Sequence, residues 1–213
     1  IYPDDESLKN ELDNVWSHYQ YYFPNSPVPA HMTCMCGFNN PFILTDKGIG
    51  ICLEMFLGEK SKFYQYLQTP RYMRQRMTPS HLALSMMKAW IESEFAPKSA
   101  QTTLLENIIF HGKVLYCLDA IFPTTADSIK IWYNKSEMDW ANEHEKMVWA
   151  YFVDNDLLFE TKLGIISKYT NDGPFTVDFA KESPGRMADY VGWQIIRKYM
   201  NKQEVVDLNE LMN

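Results

Sequence analysis

The sequence lacks the features that mark membrane-spanning and nucleic-acid-binding proteins. It contains no hydrophobic run near the ~20 residues that a transmembrane helix needs, and no signal peptide opens it. It also lacks an excess of basic residues, because 20 Lys and Arg stand against 27 Asp and Glu. With a net charge of −7, the chain has no general attraction for phosphate backbones, so we expect no nucleic acid among its partners.

Motifs of the common hydrolases and nucleotide-binding proteins are missing too. The chain has no G-x-S-x-G nucleophile elbow, no phosphate-binding loop and no G-x-G-x-x-G dinucleotide motif. It also has no internal repeat, low-complexity tract or linker that would divide its 213 residues. We therefore predict a single domain over residues 1–213, with no cofactor.

Cysteine is scarce, and the four cysteines form no obvious metal site. Cys34 and Cys36 are predicted to share one face of a strand with His31 nearby, which raises a thiolate metal site, but a fourth ligand is not evident. We interpret these two cysteines, with Cys52 and Cys117, as small buried hydrophobic residues. Because a disulfide framework is not expected at this chain length, the cysteines say little about the cellular compartment.

The sequence does contain a mainly helical pattern with one short β region. Three short apolar or alternating runs predict a small sheet, with the turn "TDKG" joining the last two strands; they lie at 31–37, 42–46 and 49–56. Apolar residues at helical spacing predict the helices, at 7–23, 79–96, 103–122, 136–155 and 183–202. The predicted fold class is α+β and predominantly helical, with a small mixed sheet near residues 31–56 packed against a helical majority.

Residues that favour helix N-termini mark three of the predicted starts. Thr78 and Ser183 are each followed by a proline, and Ser136 opens the helix between them. The segment "YTNDGPFTVDFAKE" is dense in turn residues and predicts a loop before the last of these helices.

The segment "FHGKVLY", residues 110–116, retains part of a metallopeptidase pattern. In an H-E-x-x-H helix, two histidines four residues apart bind zinc and the glutamate activates the metal-bound water. Here Gly112 stands in place of the glutamate and Leu115 in place of the second histidine, so only His111 remains. Glycine cannot act as a base and leucine cannot bind a metal. We therefore predict that the helix is retained without its chemistry.

Other polar residues do not complete the set. His144, next to Glu143, would supply at most one or two metal ligands from another helix. Lys113 either extends along an apolar wall to water or pairs with a carboxylate such as Glu143, and we favour the first.

The last helix is predicted to be apolar over much of its circumference and central, because apolar residues recur every four positions from Met187 to Tyr199. Gly192 would allow another helix to approach it closely. The polar exceptions, which either line a groove or pair with acids, are Arg186, Gln194 and Arg197. For them we favour pairing.

Four segments resemble the GldB family of gliding-motility lipoproteins from the Bacteroidetes. They are "IYPDDESLKNELDNVWSHYQYYFPNSPVP", "GIGICLEMFLG", "FHGKVLYCLDAIFP" and "SPGRMADYVGWQIIRKYM". The resemblance covers almost the whole chain in one order, and the Pro-Gly-Arg…Gly-Trp-Gln-Ile-Ile-Arg…Tyr-Met string is its most specific part. Two positions depart from the family pattern: Glu54 stands where we expect aspartate, and His111 where we expect another residue, often tyrosine.

The resemblance implies an exported, periplasm-facing protein of the cell envelope, linked to gliding and type IX secretion. It also implies a precursor with a lipidated N-terminal cysteine, so we expect this chain to lack the anchor-bearing segment. The family resembles zincin-like zinc peptidases, and residues 112–116 stand where the peptidase helix has its metal motif. Other cell-envelope proteins are the expected partners, with membrane contact only through the missing anchor.

Three functional hypotheses follow. The preferred one is a non-catalytic envelope scaffold or binding component. The second is a zinc-dependent metallopeptidase with an atypical site. The third is a module that binds a small molecule or peptide in a pocket around Lys113, Tyr116 and Arg186. The candidate pocket or vestigial site consists of His111, Gly112, Lys113, Tyr116, Glu143, His144 and Arg186.

Overall fold

Helices make up most of the fold in the computed structural model, which describes residues 5–99, 101–203 and 207–213. The structure is 58% helical and has one small three-stranded sheet within the described residues, which confirms the predicted α+β, mainly helical class. None of the helices in these ranges combines the length and the hydrophobicity needed to cross a membrane.

The described residues fall into two compact units. The first lies within the ranges Ile1–Glu94 and Ala120–Pro123, and the second lies within Phe95–Asp119 and Thr124–Asn213. A single domain over residues 1–213 stays a prediction.

Two helices and the small sheet form the core of the first unit. Helix α1, Asp5–Tyr22, is the predicted amphipathic helix, and its apolar stripe is buried as the helical spacing requires. Trp16 on this stripe contacts Trp90 of the later helix α4, Leu82–Glu94, edge to face with ring centroids 5.7 Å apart. His18 forms a hydrogen bond through Nδ1 to the Ile121 carbonyl at 2.8 Å.

The sheet contains three strands in the order β1-β3-β2 and is mixed, as predicted. Strand β1, Ala30–Cys34, runs parallel to β3, Gly48–Cys52, and β2, Phe42–Thr45, runs antiparallel to β3. Ile49 and Ile51 alternate along β3 and are buried on its core side, as the two-residue period of a strand requires. The predicted "TDKG" turn joins β2 to β3, and its Thr45 hydroxyl accepts the Gly48 N–H at 3.1 Å.

Two of the predicted strands were too long. The first ends at Cys34, because Gly37 and Phe38 have φ values of 65° and 60° and turn the backbone out of the extended conformation. The third gives way to a 3₁₀ turn at Leu53–Phe56. Two short helices follow, α2 at Lys62–Tyr66 and α3 at Arg71–Arg74.

The prediction of an α-helix from Pro79 needs a small correction. Pro79–His81 is a 3₁₀ turn, and α4 begins at Leu82. Thr78 stands at the N-terminal boundary as predicted, but its hydroxyl does not cap the backbone. It forms a hydrogen bond to His81 Nδ1 at 2.7 Å instead.

The described part of the second unit contains six α-helices. The last two residues of its first helix, Ala120 and Ile121, belong to the first unit. The bounds of the six helices are α5, Leu104–Ile121; α6, Asp127–Ile131; α7, Lys135–Asp154; α8, Leu163–Thr170; α9, Met187–Met200; and α10, Leu208–Met212. Helix α9 packs against both α7 and α8, and nine of its fourteen residues are buried. This confirms the prediction that it is apolar around much of its circumference and central.

Two helices in this unit begin elsewhere than predicted. Helix α7 is capped by Asn134 rather than Ser136, through a capping box in which Asn134 and Glu137 each bind the other's backbone N–H. Helix α9 begins at Met187 instead of residue 183. The Ser183 hydroxyl serves the preceding loop, where it accepts the Thr176 N–H at 3.1 Å and donates to the Ala180 carbonyl at 2.7 Å.

Candidate functional site

The helix that carries "FHGKVLY" forms as predicted, with its apolar face in the protein core. Ile108, Leu115 and Leu118 are all fully buried, and His111 on the same helix is half-buried. The Leu115 side chain therefore occupies a packing position where a metallopeptidase has its second zinc-binding histidine. Residues 111 and 115 share a helix face, but only His111 has a side chain that binds metals.

Gly112 lies where α5 and α9 approach each other most closely. A Cβ atom built on Gly112 would lie 2.4 Å from both the carbonyl carbon and the oxygen of Gly192, and one built on Gly192 would lie 1.9 Å from the Ile108 oxygen. Ordinary contacts between such atoms need about 3.5 Å or more. The contact confirms that Gly192 permits the close approach of another helix, and it leaves no room for any side chain at residue 112.

The two candidates on α7 do not approach a metal-binding arrangement. His144 stacks on Trp140 with ring centroids 4.2 Å apart, and its Nδ1 forms a hydrogen bond to the Trp140 carbonyl at 2.9 Å. Glu143 is exposed. Within the described ranges, the metal-ligand cluster of three or more residues includes neither of them and does not include His111; it consists of Cys34, Cys36 and Cys52 in the other unit.

The three clustered cysteines correct the interpretation of these residues as buried free thiols. Cys36 and Cys52 form a disulfide, and only Cys34 and Cys117 are free. Cys117 is fully buried as predicted, and burial raises the pKa of its thiol to about 12. Cys36 lies two residues beyond the end of β1, and His31 does not belong to the cluster.

Lys113 lines a pocket of about 460 Å³ between α5, α9 and the C-terminal helix. The lysine is half-buried, and no ion pair to Glu143 occurs among the described residues, which agrees with extension of its side chain along an apolar wall. Apolar side chains form most of the described lining, which also contains two acids. This lining consists of Ile109, Lys113, Ile195, Ile196, Tyr199, Met200, Gln203, Asp207, Glu210 and Leu211. Tyr116 and Arg186 are not in this lining.

Ile195 and Tyr199 show where the predicted apolar stripe of α9 turns outward. Tyr199 is 55% exposed and Ile195 is half-buried, although the spacing from Met187 predicts a continuous core face. The difference arises because the stripe winds around the helix and its last turn faces the pocket rather than another helix.

A dense cluster of charges in the second unit joins α5, α6 and α9. Arg197 donates to both carboxylate oxygens of Asp119 at 2.7 and 2.8 Å, and to both oxygens of Asp127 at 2.6 and 2.8 Å. Lys130, which is 3% exposed, donates to Asp119 at 2.8 Å, and the Trp193 indole N–H donates to the same carboxylate at 2.9 Å. Two acids and two bases thus neutralise each other.

This charge cluster is chemically saturated. The hydrogen bonds from Arg197 hold the pKa of Asp127 below its ordinary value of 3.8, and the guanidinium carbon of Arg197 lies 3.8 Å from the centre of the Trp193 ring. Acids tied this firmly to an arginine are poor proton donors at neutral pH. The cluster therefore fixes three helices and does not present a free acid or base.

Arg186 holds the loop before α9 and is also paired with an acid. Its Nε donates to Asp172 at 2.8 Å, its Nη2 donates to the Ile131 carbonyl, and its guanidinium carbon lies 4.7 Å from the centre of the Trp132 ring. Arg186 and Trp132 both have left-handed backbones, with φ values of 55° and 62°. Such conformations are costly outside glycine and persist where tertiary contacts enforce them.

The structure thus separates the predicted site residues. Lys113 reaches the pocket, Gly112 is a packing residue, Arg186 is an anchor of the loop, and Glu143 and His144 lie on α7. Pairing with acids is confirmed for Arg186 and Arg197. The sequence did not identify Asp119 and Asp127 as the partners of Arg197, because they lie 78 and 70 positions before it and no short-range pattern links them.

The described residues form a mainly helical fold in which α5 uses Gly112 and Leu115 for packing. The family model described as gliding motility protein GldB matches residues 1–213. The chain therefore belongs to the GldB family of gliding-motility lipoproteins, a membership that indicates a location in the cell envelope. No curated protein and no solved structure matches the chain.

Proposed function

We propose that this chain is a non-catalytic component of the gliding and type IX secretion machinery that binds another cell-envelope protein. The observation that carries the proposal is the contact between Gly112 and Gly192. In a zincin-like helix, residue 112 is the position of the catalytic glutamate. A helix whose backbone is pressed against its neighbour at that position serves packing, and it has no space for a general base.

The buried Leu115 supports the same conclusion. Its side chain is 0% exposed, so a histidine there would have to lose its hydration and displace core contacts before it could reach a metal. Together the two positions support a peptidase-like helix that serves a structural purpose. The protein's contribution to gliding then depends on its surface.

The outer face of the sheet offers a surface for the partner. Met32 and Ile43 both pair with Gly50, so their side chains lie on the same face of the sheet, on either side of β3. They are 68% and 49% exposed, and Met35 beyond the end of β1 is 85% exposed. Adjacent exposed apolar side chains are typical of protein-binding surfaces. We propose that an envelope protein of the gliding machinery covers this face.

The disulfide supports the periplasm-facing location that we infer from the family. Cys36–Cys52 joins the strand end of β3 to the segment after β1, and disulfides persist in oxidising compartments such as the periplasm. A lipid-anchored precursor is part of the same inference. Fractionation of cells that express the full-length precursor tests both points, because a cytoplasmic protein would contradict them.

The binding proposal is tested by crosslinking and affinity capture from envelope extracts of a gliding bacterium. The wild-type chain is compared with the double variant Met32→Glu/Ile43→Glu, which places charge on the apolar face. Tyr66→Glu is the matched control, because Tyr66 is 87% exposed but lies on α2. We expect the wild type and the control to capture the same gliding-apparatus protein, and the double variant to lose it. Equal capture by all three would contradict the proposal.

The pocket supports a second candidate function, the binding of a small molecule or peptide. Its volume of about 460 Å³ lies within the range of ligand sites, and Lys113 is the cation in its described lining. A thermal-shift screen of anionic small molecules and acidic peptides tests this function. A stabilising ligand whose effect disappears in Lys113→Ala would support it, and a screen without any shift would count against it.

A further inference from the structure

Three cysteine sulfurs meet at one end of the sheet in the first unit. Cys34 and Cys52 are Cα partners at the ends of the parallel strands β1 and β3, and Cys36 lies two residues beyond β1. The Cys36–Cys52 disulfide has a Cα–Cα distance of 5.7 Å. The free Cys34 sulfur lies 3.5 Å from the Cys36 sulfur and 3.7 Å from the Cys52 sulfur. A thiol thus lies in contact with both sulfurs of a disulfide.

Two neighbouring residues make room for this arrangement and hold it. A Cβ atom on Gly50 would lie 3.2 Å from the Cys34 sulfur, so the missing side chain creates the space that the sulfur occupies. Glu54 is 4% exposed, and its Oε1 accepts the backbone N–H of Cys36. Its other oxygen, Oε2, is buried without a hydrogen-bond partner among the described residues. The carboxylate thus fixes the backbone at Cys36, and redox or catalytic sites are among the places where such unsatisfied buried oxygens occur.

We propose that Cys34, Cys36 and Cys52 form a thiol–disulfide exchange site. Cys34 gives its proton to water, and its thiolate attacks the Cys52 sulfur. The Cys34–Cys52 bond forms, the Cys36–Cys52 bond breaks, and Cys36 leaves as a thiolate that takes up a proton. One disulfide and one thiol are present before and after, so the step needs no oxidant or reductant.

Strand register favours attack on Cys52 over attack on Cys36. Directly paired residues of neighbouring strands lie about 4.8 Å apart, which falls inside the Cα range that a disulfide spans. Cys34 and Cys52 are such a pair. Cys34 and Cys36 are separated by one residue of the same chain, so a bond between them would close a very small ring. The exchange therefore moves the disulfide bond of Cys52 between Cys36 and Cys34.

The exchange transfers the free thiol from Cys34 in β1 to Cys36 beyond the end of that strand. Cys36 lies in the loop after β1, between Met35 and Gly37, which are both exposed. A thiol there reaches the disulfide of another protein. The Cys36 thiolate attacks that disulfide, forms a mixed disulfide and releases one of the partner's sulfurs as a thiolate. The chemical class of partner is thus a protein that carries an accessible disulfide.

Differential alkylation of the intact, non-reduced protein tests the proposal. Native protein is exposed to N-ethylmaleimide, then denatured, reduced and labelled with iodoacetamide, and fragment mass spectra locate both labels. We expect about one maleimide per chain, shared between Cys34 and Cys36, with at least about one tenth as much label on Cys36 as on Cys34 because exchange exposes both thiols. Cys117 is the internal control, since a fully buried thiol stays unlabelled until denaturation.

Two variants complete the test. In Cys34→Ser the Cys36–Cys52 bond cannot exchange, so we expect no native label on Cys36. In Cys36→Ser we expect a Cys34–Cys52 disulfide and no native label on either residue. Circular dichroism verifies that each variant is folded, and the wild-type labelling stands without them. Native label confined to Cys34, two alkylatable thiols in Cys36→Ser, or a metal ion bound stoichiometrically by the three thiols would each overturn the proposal.

Discussion

Replacing Gly112 with alanine tests the contact between α5 and α9 directly. The added Cβ would lie 2.4 Å from two backbone atoms of Gly192, so the helices must separate by about 1 Å to restore ordinary contact. Overpacking of this kind costs about 1–3 kcal/mol, while the better helix propensity of alanine returns about 1 kcal/mol. Because the obstructing atoms belong to the backbone and cannot rotate away, we expect an overpacking cost of about 3 kcal/mol, which leaves a net loss of about 2 kcal/mol.

Urea denaturation followed by circular dichroism measures this loss. A decrease of about 2 kcal/mol lowers the urea midpoint by about 1 M for a typical slope of the unfolding curve. Gly164→Ala is the matched control, because Gly164 lies in α8 and a Cβ there meets nothing within 4 Å. The control should be as stable as the wild type or more stable by up to about 1 kcal/mol. Equal midpoints for Gly112→Ala and Gly164→Ala would refute the close contact.

Three further predictions concern the paired charges. Arg197→Met leaves Asp127 without its main partner and should lower the free energy of unfolding by about 2 kcal/mol. This is less than for a fully buried pair, because Arg197 is partly exposed. Urea denaturation measures the loss, and an unchanged midpoint would contradict it. Because the folded-state pKa of Asp127 is lowered from 3.8, its stabilisation is present above pH 3.8 and is lost as pH falls through the lower folded pKa. The stability difference between wild type and Asp127→Asn should therefore shrink below pH 3.8 in pH-dependent denaturation, and a constant difference would count against the pairing. Arg186→Lys loses the planar contact with Trp132 and should cost about 1–2 kcal/mol, seen as a lower melting temperature; wild-type stability would show that the contact is unimportant.

The sequence predicts the longer helices well because their own residues determine them. Helix α1 illustrates this, since its buried residues recur at helical spacing, at Leu12, Val15, Trp16 and Tyr19. The start of α7 was missed by a short distance because Asn134 and Ser136 are both good caps. The Asn134–Glu137 capping box distinguishes them, and it is readable from the sequence.

The start of α9 could not be read in this way. Ser183 followed by proline has the composition of a helix N-terminus, but the hydroxyl is used by Thr176 and Ala180 in the preceding loop. Only the tertiary structure decides which backbone group a serine binds. Local sequence cannot distinguish a cap from a loop anchor here.

The paired charges and the disulfide were missed for the same physical reason. The partners of Arg197 come from two other helices, and Cys36 meets Cys52 only because β1 and β3 are adjacent and parallel. Sequence spacing carries no information about such long-range contacts until the topology is known. By contrast, the missing glutamate and second histidine at Gly112 and Leu115 could be recognised from the sequence, because an H-E-x-x-H motif places all of its groups on one helix.

Metal content combined with peptidase activity tests the central claim, that α5 retains a peptidase-like helix without its metal chemistry. Elemental analysis of the purified protein and of His111→Ala, with a peptide-hydrolysis assay on both, is the measurement. We expect neither protein to bind zinc in stoichiometric amount and neither to cleave peptides. One zinc ion per chain that is lost in His111→Ala together with peptide cleavage would contradict it.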